Sequence, residues 1–283
     1  MIPAIPAIPA TPTTAVPLPR AVPLGLARGG LELRRFLRNR ETVVFTFSLP
    51  TVLLVLLGSV FGDRYEGTGV TSSQVLAAGM IAAGIMSTTF VSLGTDIAGD
   101  RDDGTLKRLR GTPVPAAAYF LGKIVLVAVT TVAQIAIMLT VAVLLFDLSL
   151  PGTAADWSTF GWVFTLGVVA CSLLGIAISS LARDARAATA VTQLPYLTLQ
   201  FISGVFVSPL TALPAGLVVA ASFFPVKWMA QGFRSVFLPD SMVVLEPAGS
   251  WELDRVALVL GAWCAVGLVL CLTTFRWRRG PGG

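Results

Sequence analysis

The chain has 283 residues, of which 12% are charged and 55% hydrophobic; its mean hydropathy is +0.82 and its net charge +5. Soluble domains carry about 25% charged residues, so this much apolar surface excludes a water-soluble globule and indicates an integral membrane protein. The lack of His removes the commonest general base and metal ligand, and no long basic stripe interleaves with aromatics as nucleic-acid binding would require.

Residues 1–25 read MIPAIPAIPATPTTAVPLPRAVPLG, with Pro3, Pro6, Pro9 and Pro12 at every third position. Pro at that spacing opposes helix and favours an extended chain, so this stretch is expected to be a disordered cytoplasmic tail. It has neither the basic start nor the unbroken apolar core of a signal peptide. Residues 26–279 are expected to form one transmembrane domain. Its first element is RGGLELRRFLRNRE, residues 28–41, where Leu33, Phe36 and Leu37 share a helical face beside Arg34, Arg35 and Arg38. That pattern predicts an amphipathic helix on an anionic membrane surface.

Six apolar spans are expected at 42–61, 75–96, 118–146, 159–181, 188–208 and 254–275, each near the 20 residues that cross a bilayer core. Lys123, beside Tyr119 and Phe120, is expected to snorkel to the interface. Residues 213–225, LPAGLVVAASFFP, are apolar but too short to cross, which suits a re-entrant helix. With six spans both termini are cytoplasmic, and of the 20 Lys and Arg only Arg64, Lys227, Arg234 and Arg255 fall outside. The predicted fold is therefore an all-α polytopic membrane protein with six transmembrane helices. An interfacial amphipathic helix precedes them, and extracellular re-entrant helices lie between spans five and six. The three Cys sit in apolar runs and read as small hydrophobes. Deep polar residues are neutral, among them Gln134, Gln193 and Gln200. Ion-coupled carriers usually bury carboxylates, so their lack argues against one. A membrane enzyme lacks both His and clustered acids in the spans, and neither a P-loop nor a calcium loop is complete.

Against this background, residues 99–115 (GDRDDGTLKRLRGTPVP) place seven charges between Asp100 and Arg110. Acids precede bases, which complements a helix macrodipole. An Asp or Thr105 can cap the helix, and Gly111 and Pro113 stop it. Leu106 and Leu109 would share one face, flanked by Lys107, Arg108 and Arg110. A plain topogenic charge cluster explains the bases but not the leucine pair; a short helix made to enter a groove on a soluble partner explains both.

The stretch RDDGTLKRLRGTPVPAAAYFLGKI resembles the segment after the second span in permease subunits of ABC-2 type exporters, including the daunorubicin-resistance type. Asp100, Arg101, Gly104, Thr105, Leu106, Lys107, Leu109, Arg110, Thr112 and Pro113 fill that pattern. The resemblance implies that Asp102, Asp103, Gly104, Thr105, Leu106, Lys107, Arg108, Leu109 and Arg110 form a coupling helix for a separate ABC ATPase. It also implies a homodimer in the plasma membrane, no catalytic site or metal on this chain, and ATP with Mg²⁺ on the partner. Substrate, a hydrophobic drug, antibiotic or lipid, would pass outward between the two copies along spans one, two and five. Gln193, Tyr196, Gln200 and Phe201 recur at i, i+3, i+7 and i+8 on the fifth span and are candidates for that path, or for plain interhelical packing. A secondary carrier and a non-transporting membrane anchor are the alternatives.

Overall fold

The computed structural model describes residues 21–65, 68–112, 114–182 and 184–274. Among them there is no β-sheet; one isolated antiparallel bridge joins Arg64 to Thr71. The order is α1 (Ala21–Arg38), α2 (Arg40–Val60), α3 (Ser72–Met86), a π turn (Ser87–Ser92), α4 (Leu93–Asp102), α5 (Thr105–Arg110), α6 (Ala116–Phe146), α7 (Ala154–Ser179), α8 (Ala185–Ile202), α9 (Ala215–Ser222), α10 (Pro225–Phe237) and α11 (Leu253–Thr274). Short 3₁₀ turns at Leu210–Ala212 and Asp240–Leu245 flank α9 and α10.

Among the described residues five helical stretches are long and apolar enough to cross a membrane: Arg40–Val60, Ser72–Asp102, Ala116–Phe146, Ala154–Ser179 and Leu253–Thr274. The expected fifth span, 188–208, falls on α8, which is 18 residues long and not one of the five. Arg186, three Thr, Gln193 and Gln200 dilute its apolar content.

Local signals set the helix ends. Asn39 interrupts the chain between α1 and α2 and accepts from Thr42 N at 3.2 Å. Thr71 with Gln74, and Thr153 with Asp156, form reciprocal capping boxes at the starts of α3 and α7. Asp184 caps α8 by accepting from Ala187 N at 2.7 Å.

The centre of the bundle is α3, whose residues Val75 to Met86 are all buried. Many are small, so α2, α6 and α10 approach closely around it. The expected uniform second span is instead broken by the π turn, and α7 crosses there at Gly175. A Cβ on Gly175 would lie 2.7 Å from the Thr89 carbonyl oxygen and 2.9 Å from that of Phe90, so only glycine fits.

Three expectations change. First, Ala21–Arg38 is helical, so Ala21 to Gly25, Pro23 among them, are helix inside the stretch expected to be extended. Residues 1–20 of that tail, and the basic C-terminal tail, lie outside the described residues. Second, α1 is docked along α6 as well as amphipathic: a Cβ on Gly25 or Gly29 would come within 2.6 Å of Leu121 or Val125. Third, α10 is a moderately polar helix that inserts between α3, α7 and α11, burying Lys227, Gln231 and Arg234.

Candidate functional site

The charged loop divides between two helices. Asp100 and Asp102 end α4 rather than starting the next helix, and Gly104, at φ +75°, makes the left-handed turn that separates them. Asp103 caps α5, accepting from Thr105 N at 2.9 Å. Partial burial raises the Asp103 carboxyl, but the Thr105 bonds and the nearby Arg35 and Arg108 outweigh it and hold the group below its ordinary range. The leucine pair is split: Leu106 is 1% exposed, packed within this chain, while Leu109 is half-buried. Lys107 and Arg108 are exposed. Arg110 is the last residue of α5.

Above this loop helix lies an ion cluster that the linear reading missed. Three helices each contribute residues one turn apart: Arg28, Glu32 and Arg35 on α1, Asp96 and Asp100 on α4, Tyr119 and Lys123 on α6. Lys123 does not snorkel. Its side chain is 2% exposed and its Nζ lies 2.5 Å from Asp96 Oδ2, 2.7 Å from Asp100 Oδ2 and 3.2 Å from Glu32 Oε2. Arg28 pairs with Glu32 at 3.0 Å, Arg35 donates to Asp100 Oδ1 at 3.0 Å, and the Tyr119 hydroxyl donates to Asp100 Oδ2 at 3.0 Å. Carboxylate oxygens of Glu32, Asp96 and Asp100 gather within 4.8 Å, a spacing that could hold a metal, but the Lys123 ammonium lies among them and supplies the cation. A buried charge persists only when paired and hydrogen-bonded, and here each acid neutralises a cation from another segment of the chain or from its own helix.

A cavity of about 530 Å³ opens beside the cluster, walled by α1, α2, the π turn, α4, α6 and α8. Glu32, Glu41, Asp96 and Arg35 bring charge to it; Phe36, Phe45 and Leu126 bring apolar surface; Thr88, Thr130 and Gln193 bring hydrogen-bonding groups. Next to it Thr88 and Thr131 join the π turn to α6 at 2.8 Å.

The four candidates on α8 part company. Gln193 lines the cavity. Tyr196 and Gln200 are buried, Gln200 Nε2 donating to Met86 Sδ at 3.8 Å. Phe201 is 55% exposed and meets Phe206 edge-on. At 100° per residue Phe201 points about 140° away from Tyr196, so the two cannot line one narrow wall.

A model of the ABC-2 type transporter family matches residues 30–238, from the middle of α1 through α10 and so across the loop helix, the cavity and all of the ion cluster but Arg28. The chain belongs to this family. Among similar proteins, one named as a multidrug ABC transporter permease, YbhR of Escherichia coli (strain K12), is 24% identical over 187 residues, covering 66% of this chain and 49% of YbhR. One named as a transport permease, YvfS of Bacillus subtilis (strain 168), is 21% identical over 201 residues, covering 71% of this chain and 80% of YvfS. The chain thus spans about half the length of YbhR. Membership of the ABC-2 family accounts for the apolar helices and the loop motif, while the ion cluster had to come from the packing. Its one linear signal was the i, i+4 spacing of Asp96 with Asp100 and of Tyr119 with Lys123, at the ends of two apolar runs.

Proposed function

We propose that this chain is the membrane-embedded permease subunit of an ATP-binding cassette exporter. It moves a hydrophobic or amphiphilic substrate, a drug, antibiotic or lipid-like molecule, outward across the plasma membrane. A separate ATPase subunit, which holds ATP and Mg²⁺, drives it. Two copies pair in the bilayer, each crossing six times with α8 as the fifth span and both termini cytoplasmic, and α9 and α10 form the re-entrant pair on the outer side. The family match and the names of the similar permeases support the reading.

The observation that carries it is the loop helix α5. It is short, capped by Asp103 and stopped at Gly111, and it hangs directly from α4, the continuation of the most buried helix. A partner pressing on α5 would move α4, and with it the buried Asp100 and, on the cavity wall, Asp96. With Leu106 anchoring α5 from inside, the docking face is Lys107, Arg108 and the half-exposed Leu109. Charge on such a face steers encounter with an acidic groove, and a central apolar contact adds affinity.

The test is co-purification of the full chain with its ABC ATPase. Lys107→Glu with Arg108→Glu should abolish it while thermal stability changes by no more than about 0.5 kcal/mol, as for surface substitutions. Intact co-purification would remove the docking assignment. Transport that continues without the ATPase and collapses with an ion gradient would instead identify a secondary carrier.

A further inference from the structure

We propose that Asp96 makes the cavity selective for molecules that join an ammonium group to an apolar body; this rests on the cavity lying on the transport path. The cavity, about 530 Å³, has the size of a small-molecule site. Its charge is not balanced evenly. One ammonium, that of Lys123, is shared by three carboxylates. Glu32 has Arg28 in addition, and Asp100 has Arg35 and the Tyr119 hydroxyl. Asp96 has Lys123 alone, bound through Oδ2, and among the described residues nothing bonds Oδ1.

Asp96 is also the acid that faces the opening. Its side chain is 32% exposed, against 0% for Asp100 and 7% for Glu32. An ionised carboxylate accepts about four hydrogen bonds, so Oδ1 can take a second N–H donor without displacing Lys123. Among the described residues Arg35 is the cation that lines the cavity; its Nη1 bonds Asp100 and its Nη2 lies 3.8 Å from Asp103. Glu41 adds a further negative charge to the lining. With Glu32, Glu41 and Asp96 set against Arg35 in the lining, the wall carries more negative than positive charge, which disfavours an anionic ligand. Phe36 and Phe45 line the same cavity, and aromatic faces receive both an apolar body and a neighbouring cation.

The test uses the purified full chain in nanodiscs of uncharged lipid. A dansyl-labelled alkylamine and its matched alkyl alcohol are titrated by fluorescence, with empty nanodiscs subtracted. The wild-type chain should bind the amine about tenfold more tightly than the alcohol, about 1.4 kcal/mol. Asp96→Asn should lose that preference while its affinity for the alcohol stays unchanged, and Asp96→Glu should keep it. On the wild-type chain, carbodiimide labelling of Asp96, read by peptide mass spectrometry, should be slowed by the amine and not by the alcohol; this measurement stands even where Asp96→Asn does not fold. Equal binding of amine and alcohol, or a preference that survives in Asp96→Asn, overturns the role of Asp96 and leaves the cavity as a binding site. If neither probe binds, the cavity does not take such molecules and the proposal falls, while the exporter reading stands or falls by co-purification with the ATPase.

Discussion

Among the described residues two charged clusters are buried, and they sit at different levels along the continuous stretch from α3 into α4. One gathers on Lys123 beside Asp96 and Asp100. The other gathers on Arg234, whose Nη1 would lie 3.5 Å from a Cβ on Gly79, midway along α3. From Gly79 to Asp100 the helix rises roughly 30 Å. The Arg234 cluster is closed, its partners all lying between residues 204 and 251. Arg234 pairs with Glu246 at 2.6 Å, twelve residues on, and donates to the Gly204 carbonyl at 2.9 Å; Lys227 donates to Gln231, which donates to the Trp251 carbonyl at 2.8 Å. The Lys123 cluster is open and nonlocal, drawing on residues 32, 96, 100 and 123 and facing a cavity. The first behaves as a latch that pins α10 in place. The second is a joint at which α1, α4 and α6 meet beside the loop helix, and a joint can change partners when one member moves.

The strongest test of this contrast is removal of each central cation. Lys123→Met and Arg234→Met should each destabilise the chain by about 3–5 kcal/mol, since each strands a buried carboxylate. Thermal unfolding in detergent measures this. Adding Glu246→Leu to Arg234→Met should recover much of the loss, because one acid is removed with one base. Adding Asp96→Asn to Lys123→Met should recover little, because Glu32 and Asp100 still face one another. Equal recovery in both would erase the distinction between latch and joint.

A smaller effect is expected where α1 meets α6. Gly29→Ala places a Cβ 2.6 Å from that of Val125 and should cost about 1–3 kcal/mol as overpacking. Gly30→Ala, one residue along with nothing within 4 Å, should be neutral or gain about 0.5–1 kcal/mol from helix propensity. Limited proteolysis at the exposed Arg34 and Arg38 would report release of α1 in the first variant and not the second.

The smallest expected effect lies at the edge of the joint. Because the folded chain holds the Asp103 carboxyl below its ordinary range, its contribution is present above the unfolded carboxylate pKa of about 3.9 and is lost as pH falls through the lower folded value. Asp103→Asn should therefore be slightly less stable than the parent near neutral pH, and the two should converge in acid. A gap that persists in acid would show that the carboxylate charge is not what holds the loop.

The apolar runs were legible because a helix that meets lipid or other helices must be apolar over its whole length, and that requirement is written residue by residue. The expected spans at 42–61, 118–146, 159–181 and 254–275 accordingly overlap α2, α6, α7 and α11 almost end to end. The loop helix was legible for a different reason: Gly104, Gly111 and the charged run between them are local signals that act within one or two turns. The same local reasoning left the cap open among the three Asp and Thr105, since composition cannot say whether an acid ends one helix or starts the next. It also set Leu106 beside Leu109, because spacing gives a shared face but not what that face touches.

By itself, then, the sequence determined that this is a helical chain rich enough in apolar residues to enter a membrane, and where its charged loop bends into a short helix. Helical period, capping and hydropathy are properties of neighbouring residues, so the linear order carries them. Only the tertiary structure decided that Lys123 is buried rather than drawn to the interface, that Asp96 is left facing the cavity, and that α10 inserts its charges among apolar helices. Each of those outcomes depends on counter-charges or carbonyls supplied by segments far apart in the chain, and a charge stays buried only where such partners converge.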